Sequence, residues 1–136
     1  MINIENVRAY DWTRQLLEVE LKRPIPIYGF PFDKLTITKQ GYISLAPIEL
    51  VNNNSELVAP LMAEYDKAKG QVFFKKTPAF LEVSWIDMVL KESPDLGSFS
   101  FGVILFKNGF IRFLYQHIPV ALTGLKVTIG IADSMW

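Results

Sequence analysis

The side chains able to do chemistry are few in this sequence, and their spacing matches no reactive pattern. His117 is the only histidine, and there is no cysteine. That count excludes histidine-based triads, multi-histidine metal sites, thiolate metal sites and disulfides. His117 stands just before Pro119, a setting that suits a surface or loop-anchoring role. The carboxylates Glu64, Asp66, Asp87, Asp95 and Asp133 could supply an acid–base pair or a calcium site. No D-x-D-x-D-G loop orders them, so Asp66, beside a turn, is the best single candidate for a calcium role, with Asp133 weaker. The glycines are isolated and make no phosphate-cradling loop, and no serine sits in a G-x-S-x-G elbow. Asn53-Asn54-Ser55 is a glycosylation sequon, which makes Asn53 a weak candidate for modification in a secreted chain. Trp12, Trp85 and Trp136 with the tyrosines could form a sugar-stacking platform, but Trp85 alternates with apolar neighbours and is expected in the core. These residues predict no enzyme, no catalytic group, no cofactor and no metal.

The elements that would position any site are β-strands. The chain has 136 residues, half of them hydrophobic and 13% aromatic. This suits one folded domain spanning residues 1–136 and excludes a disordered profile. Fourteen basic residues balance fourteen acidic ones. Such neutrality argues against nucleic acid, which selects a clustered basic surface, and against a polybasic membrane patch. The segment shows no signal peptide, and its longest apolar run, 99–106, is too short to span a bilayer.

Residues 79–106 carry the clearest pattern. Leu81, Val83, Trp85 and Val89 fall on one face, and Phe99, Phe101, Val103 and Leu105 on another, with a short connector holding Pro94 and Gly97. Alternation of this kind indicates two half-buried strands joined as a hairpin. Further strands are expected at 2–10, at 16–21 with Leu17, Val19 and Leu21 inward, at 70–76, at 110–117 and at 126–131. A hairpin turning at Gly41 joins 35–39 to 42–45, and Lys107-Asn108-Gly109 is another turn. Pro24 and Pro26 mark an edge or a bend. Tyr28-Gly-Phe-Pro-Phe reads as an aromatic plug closing one end of the core. Residues 57–64 allow one or two turns of helix, which Ser55 could cap. The fold expected is all-β, a mostly antiparallel sandwich of about 9–10 strands with at most one short helix.

Several segments, in this order, carry a resemblance: Phe30-Pro-Phe, Leu35-Thr-Ile-Thr with Gly41-Tyr-Ile, Val58-Ala-Pro-Leu-Met-Ala, 79–85 and Gly97-Ser-Phe-Ser-Phe. It continues through Gly109, Ile111, Phe113, Tyr115 and Ile118-Pro119 to Lys126, Gly130 and Asp133. Over about residues 27–134 the chain resembles the extracellular domain of the plexin domain-containing, tumour endothelial marker-like receptors, and is similar to the NIDO domain of nidogen. The stretches at 67–70 and 122–124 look shorter than in the vertebrate receptors, so no ligand contact in those loops is carried over. The resemblance implies a non-enzymatic glycoprotein module of a single-pass membrane receptor or matrix-associated protein, acting in cell adhesion or protein binding. It would lie at the extracellular face of the plasma membrane or be secreted. Its partners would be extracellular or matrix proteins, bound through loops and sheet edges, with self-association through edge strands also open. Neither nucleic acid nor direct membrane insertion by this segment is expected. A carbohydrate-binding β-sandwich is the alternative.

Overall fold

The computed structural model describes residues 7–11, 15–51 and 56–132. Ten strands are found there: β1 Val7–Asp11, β2 Leu16–Ile27, β3 Phe30–Thr38, β4 Ile43–Ser44, β5 Leu57–Met62, β6 Gln71–Lys76, β7 Phe80–Val89, β8 Ser98–Phe106, β9 Ile111–His117 and β10 Thr128–Ala132. Six form one sheet in the order β1-β2-β3-β4-β5-β10, and four form the other in the order β6-β7-β8-β9. Every pairing is antiparallel. The all-β sandwich expected from the alternation is the fold. Among the described residues the helical pieces are two 3-10 turns, Ile48–Leu50 and Pro94–Leu96.

The helical turn expected at 57–64 is instead strand β5. Its residues Leu57 to Leu61 are all buried, and a strand covered on both faces loses the alternation that would identify it. Pro60 is accommodated because the β5–β10 register shifts between Thr128 and Gly130, opposite it. A bulge is where a strand tolerates a residue without an N–H. The prolines of β2 follow the same logic. The β2–β3 register shifts between Glu20 and Ile25, so Pro24 lies within that irregularity, and Pro26 sits opposite Pro31.

The core lies between the sheets. Leu35, Ile37, Val58 and Leu61 of the larger sheet meet Leu81, Val83, Trp85, Phe101, Val103 and Leu105 of the smaller one. Trp85 is fully buried, stacks on Phe101 with ring centroids 5.3 Å apart, and donates its indole N–H across the core to the Thr38 carbonyl at 2.8 Å. Gly102 faces β7 so closely that an added Cβ would lie 2.7 Å from the Val83 carbonyl oxygen, so no larger residue fits.

One expected core position moves. The β7–β8 register shifts between Trp85 and Met88, and Asp87 there adopts φ 56°. The bulge flips the alternation, so Met88 is buried and Val89 only half-buried. Asp87 holds the irregularity in place: its N–H donates to the Ser100 hydroxyl oxygen at 3.0 Å.

Tyr65 fills the core beside this bulge. Its ring lies 5.9 Å from Phe101, and its hydroxyl donates to the Leu61 carbonyl at 2.8 Å. Burial pushes the phenol pKa well above its ordinary value. The fold therefore keeps this hydroxyl protonated where the unfolded chain would release the proton. The linked stability is fully present below about pH 10 and is lost as pH rises further. Tyr65→Phe is expected to cost about 1 kcal/mol at neutral pH and to flatten the alkaline fall in urea-unfolding stability. An unchanged alkaline slope in the variant would refute the assignment.

Candidate functional site

The residues singled out for chemistry are scattered, and most have local structural work. Asp66 accepts a hydrogen bond from the Ala68 N–H at 2.9 Å, and its carbonyl accepts one from the Lys69 N–H at 3.1 Å. It is the organiser of the turn before β6. Glu64 pairs with Lys91 at 3.3 Å on the surface. Asp87 belongs to the β7 bulge, Asp95 to the 3-10 turn at Pro94–Leu96, and His117 is exposed at the end of β9. Among the described residues no three histidine, cysteine or acidic side chains are grouped to hold a metal ion. Asn53, Asp133, Trp12, Trp136 and the cap expected at Ser55 lie outside the described residues. Trp85 is fully buried and offers no stacking surface. An open depression is lined by Glu64, Leu90, Glu92, Ser93, Leu125 and Lys126, and its Glu64 carboxylate is paired with Lys91.

The surface that stands out is at the opposite end, where two turns meet. β2 and β3 are paired through Ile27 and Phe30, leaving Tyr28 and Gly29 as a two-residue turn. Both have positive φ, 53° and 79°, the backbone signature of a primed hairpin turn whose twist matches its strands. Such a turn is short and stiff. It holds Tyr28 59% exposed and Phe30 56% exposed, beyond the last fully buried rung at Ile27. The expected aromatic plug is therefore corrected: of the three rings only Phe32 packs against the core, because the tight turn carries the other two past the core's end.

The β8–β9 turn lies alongside. A Cβ on Gly109 would sit 3.5 Å from Pro26, which places this turn against β2. The Gly109 N–H donates to the Phe106 carbonyl at 2.9 Å, and the Phe110 N–H to the Asn108 side-chain oxygen at 3.1 Å. These bonds fix Phe110, which is 72% exposed. Behind it Arg112 lies 5.9 Å above the Phe106 ring, whose edge meets Phe80 at 6.1 Å.

Three large aromatic side chains thus project from two rigid turns. The turns fix the backbone at these positions, so little main-chain freedom is lost on contact. The arrangement has no proton donor or acceptor poised against a nucleophile. Residue type could have located it, since Phe110 follows a turn in the sequence, but only the pairing of Ile27 with Phe30 reveals that Tyr28 and Phe30 lie outside the core.

Among the described residues no helix is long and apolar enough to cross a membrane. No protein-family model matches this chain, and no solved structure matches it.

Proposed function

We propose that this chain is a non-enzymatic extracellular protein-binding module of a membrane receptor or matrix-associated protein, related to the plexin domain-containing receptors and to NIDO domains. The observation that carries the reading is the trio Tyr28, Phe30 and Phe110, exposed on adjacent stiff turns of a closed sandwich. Binding energy at protein interfaces concentrates in a few aromatic or arginine anchors that partners desolvate. Loops on a rigid β scaffold are the usual carriers of such anchors. The ordered resemblance over residues 27–134 supplies the extracellular setting.

The test is binding of the purified domain to a panel of matrix and soluble extracellular proteins, with and without Tyr28→Ser, Phe30→Ser and Phe110→Ser together. Each anchor lost is expected to cost about 1–2 kcal/mol of affinity. The triple variant should therefore bind at least roughly a hundredfold more weakly. Its thermal unfolding should stay close to that of the parent, since the three rings are exposed. Equal affinity of parent and variant, or no partner in the panel, would reject the proposal. A glycan array positive for the parent and negative for the variant would transfer the same aromatics to the carbohydrate-binding alternative.

A further inference from the structure

Positive charge gathers beside the aromatic turns. Lys22 and Arg23 are exposed on β2, within the stretch where the β2–β3 register shifts between Glu20 and Ile25. Lys76, the last residue of β6, reaches across from the other sheet and donates its ammonium to the Glu20 carbonyl at 2.7 Å. Lys107, just past β8, does the same to the Arg23 carbonyl at 2.6 Å. Partial burial, and then the charges of neighbouring cations, hold both ammonium groups below the usual lysine range. Lys22 acts on Lys76 in this way, and Lys76 and Arg23 act on Lys107, while the Glu20 carboxylate partly offsets the effect at Lys76. Four cations therefore feel one another's fields, in a chain whose formal charge is zero. An anionic ligand would relieve that repulsion.

The layout narrows the ligand. The cations run along the flank of β2 and do not ring the tip. Arg23 precedes Tyr28 by five positions, about 17 Å at the rise of a strand. A planar lipid surface touching the Tyr28–Phe30 tip would leave most of that flank uncontacted. A sulfated glycan would match the flank, but its charged sulfates are poor partners for the three aromatic rings at the tip. An extended polypeptide can satisfy both, placing an apolar side chain at the tip and carboxylates along the flank.

We infer that this face takes an acidic, extended segment of a protein partner, anchored by an apolar residue at Tyr28, Phe30 and Phe110 and running along β2 past Lys107, Arg23, Lys22 and Lys76. The inference rests on the protein-binding reading above and names the chemistry of the partner.

The experiment is an NMR titration of the isotope-labelled domain with a glutamate–tyrosine copolymer, polyglutamate, heparin, and vesicles of phosphatidylcholine with phosphatidylserine. The copolymer is expected to shift the amides of Lys22, Arg23, Ile25, Ile27, Tyr28 and residues 107–110, and to bind roughly tenfold more tightly than polyglutamate. Lys22→Glu with Arg23→Glu should weaken it by roughly tenfold or more and reduce its salt sensitivity. Both side chains are exposed and the Arg23 carbonyl still receives Lys107, so the double variant keeps its cross-sheet bonds. Preference for heparin or for the vesicles over the copolymer would overturn the inference, as would silence of these amides or equal binding by the double variant. If the double variant keeps its grip on a matrix partner while the aromatic triple variant loses it, this inference alone fails. If neither substitution matters, the protein-binding reading fails with it.

Discussion

Trp85→Ala is expected to destabilise the domain by about 3–5 kcal/mol, the range for deleting a fully buried large aromatic. Three losses combine. The indole leaves a cavity between the sheets, its stacking on Phe101 disappears, and the Thr38 carbonyl loses the N–H that reaches it from the other sheet. A domain of this size has a total stability on the order of 5–15 kcal/mol, so the variant loses a large share of it. Trp85→Phe separates the contributions, because it keeps most of the packing and removes the N–H. It should retain more than half of the stability that Ala loses. Chemical denaturation of both variants checks this, and a loss under about 1 kcal/mol for Trp85→Ala would contradict the placement of Trp85 at the centre of the core.

Gly41→Ala should be comparably severe for a different reason. Gly41 has φ 83°, a region costly for any residue with a Cβ, and that Cβ would overlap the Leu61 carbonyl oxygen and crowd the Tyr65 ring. The contact sits where the β3–β4 turn lies over β5, and where the Ala63 N–H donates to the Gln40 carbonyl at 3.1 Å. Relief requires moving backbone, and the Leu61 oxygen is already receiving the Tyr65 hydroxyl. The expected cost is about 3 kcal/mol or more, from strain and overlap together. Gly124→Ala is the control: its φ is also positive, at 84°, but nothing lies within 4 Å of the added Cβ. It should cost only about 1 kcal/mol. Thermal midpoints of the two variants side by side test the distinction, and equal shifts would show that the overlap at Gly41 is unimportant.

Much of the sandwich is legible in the sequence because its central strands have one face in the core and one in water. Leu81, Val83 and Trp85 alternate with half-buried neighbours, whereas in β2 the expected inward Leu17 is only half-buried and Leu16 and Glu18 are buried beside it. Where that condition fails, so does the reading. β5 is buried on both faces and carries a proline, so it resembles a short helix. Past Asp87 the period slips by one, since a bulge is set by backbone geometry and the Ser100 contact and leaves little trace in hydrophobicity. The exposure of Tyr28 and Phe30 is hidden by the same limit. Aromatic residues near a turn look like core until the turn's length decides which of them clear its rim. The cation cluster is less legible still, because Lys22, Arg23, Lys76 and Lys107 come together only when β2 meets the ends of β6 and β8.

The strand order also fixes how the domain would carry a mechanical load. β1 and β10 are the two outer strands of the larger sheet, whereas β6 to β9 form an uninterrupted meander in the smaller one. Tension applied between β1 and β10 is therefore transmitted sideways through six strands and bypasses the meander. It narrows at β4, which pairs through Ile43 and Ser44 alone with each neighbour. The Thr38–Tyr42 and Leu45–Glu56 backbone bonds reinforce it on either side. Under pulling, β4 is the fuse of the domain, and the indole bond from Trp85 to Thr38 couples the sheltered meander to the strand beside that fuse.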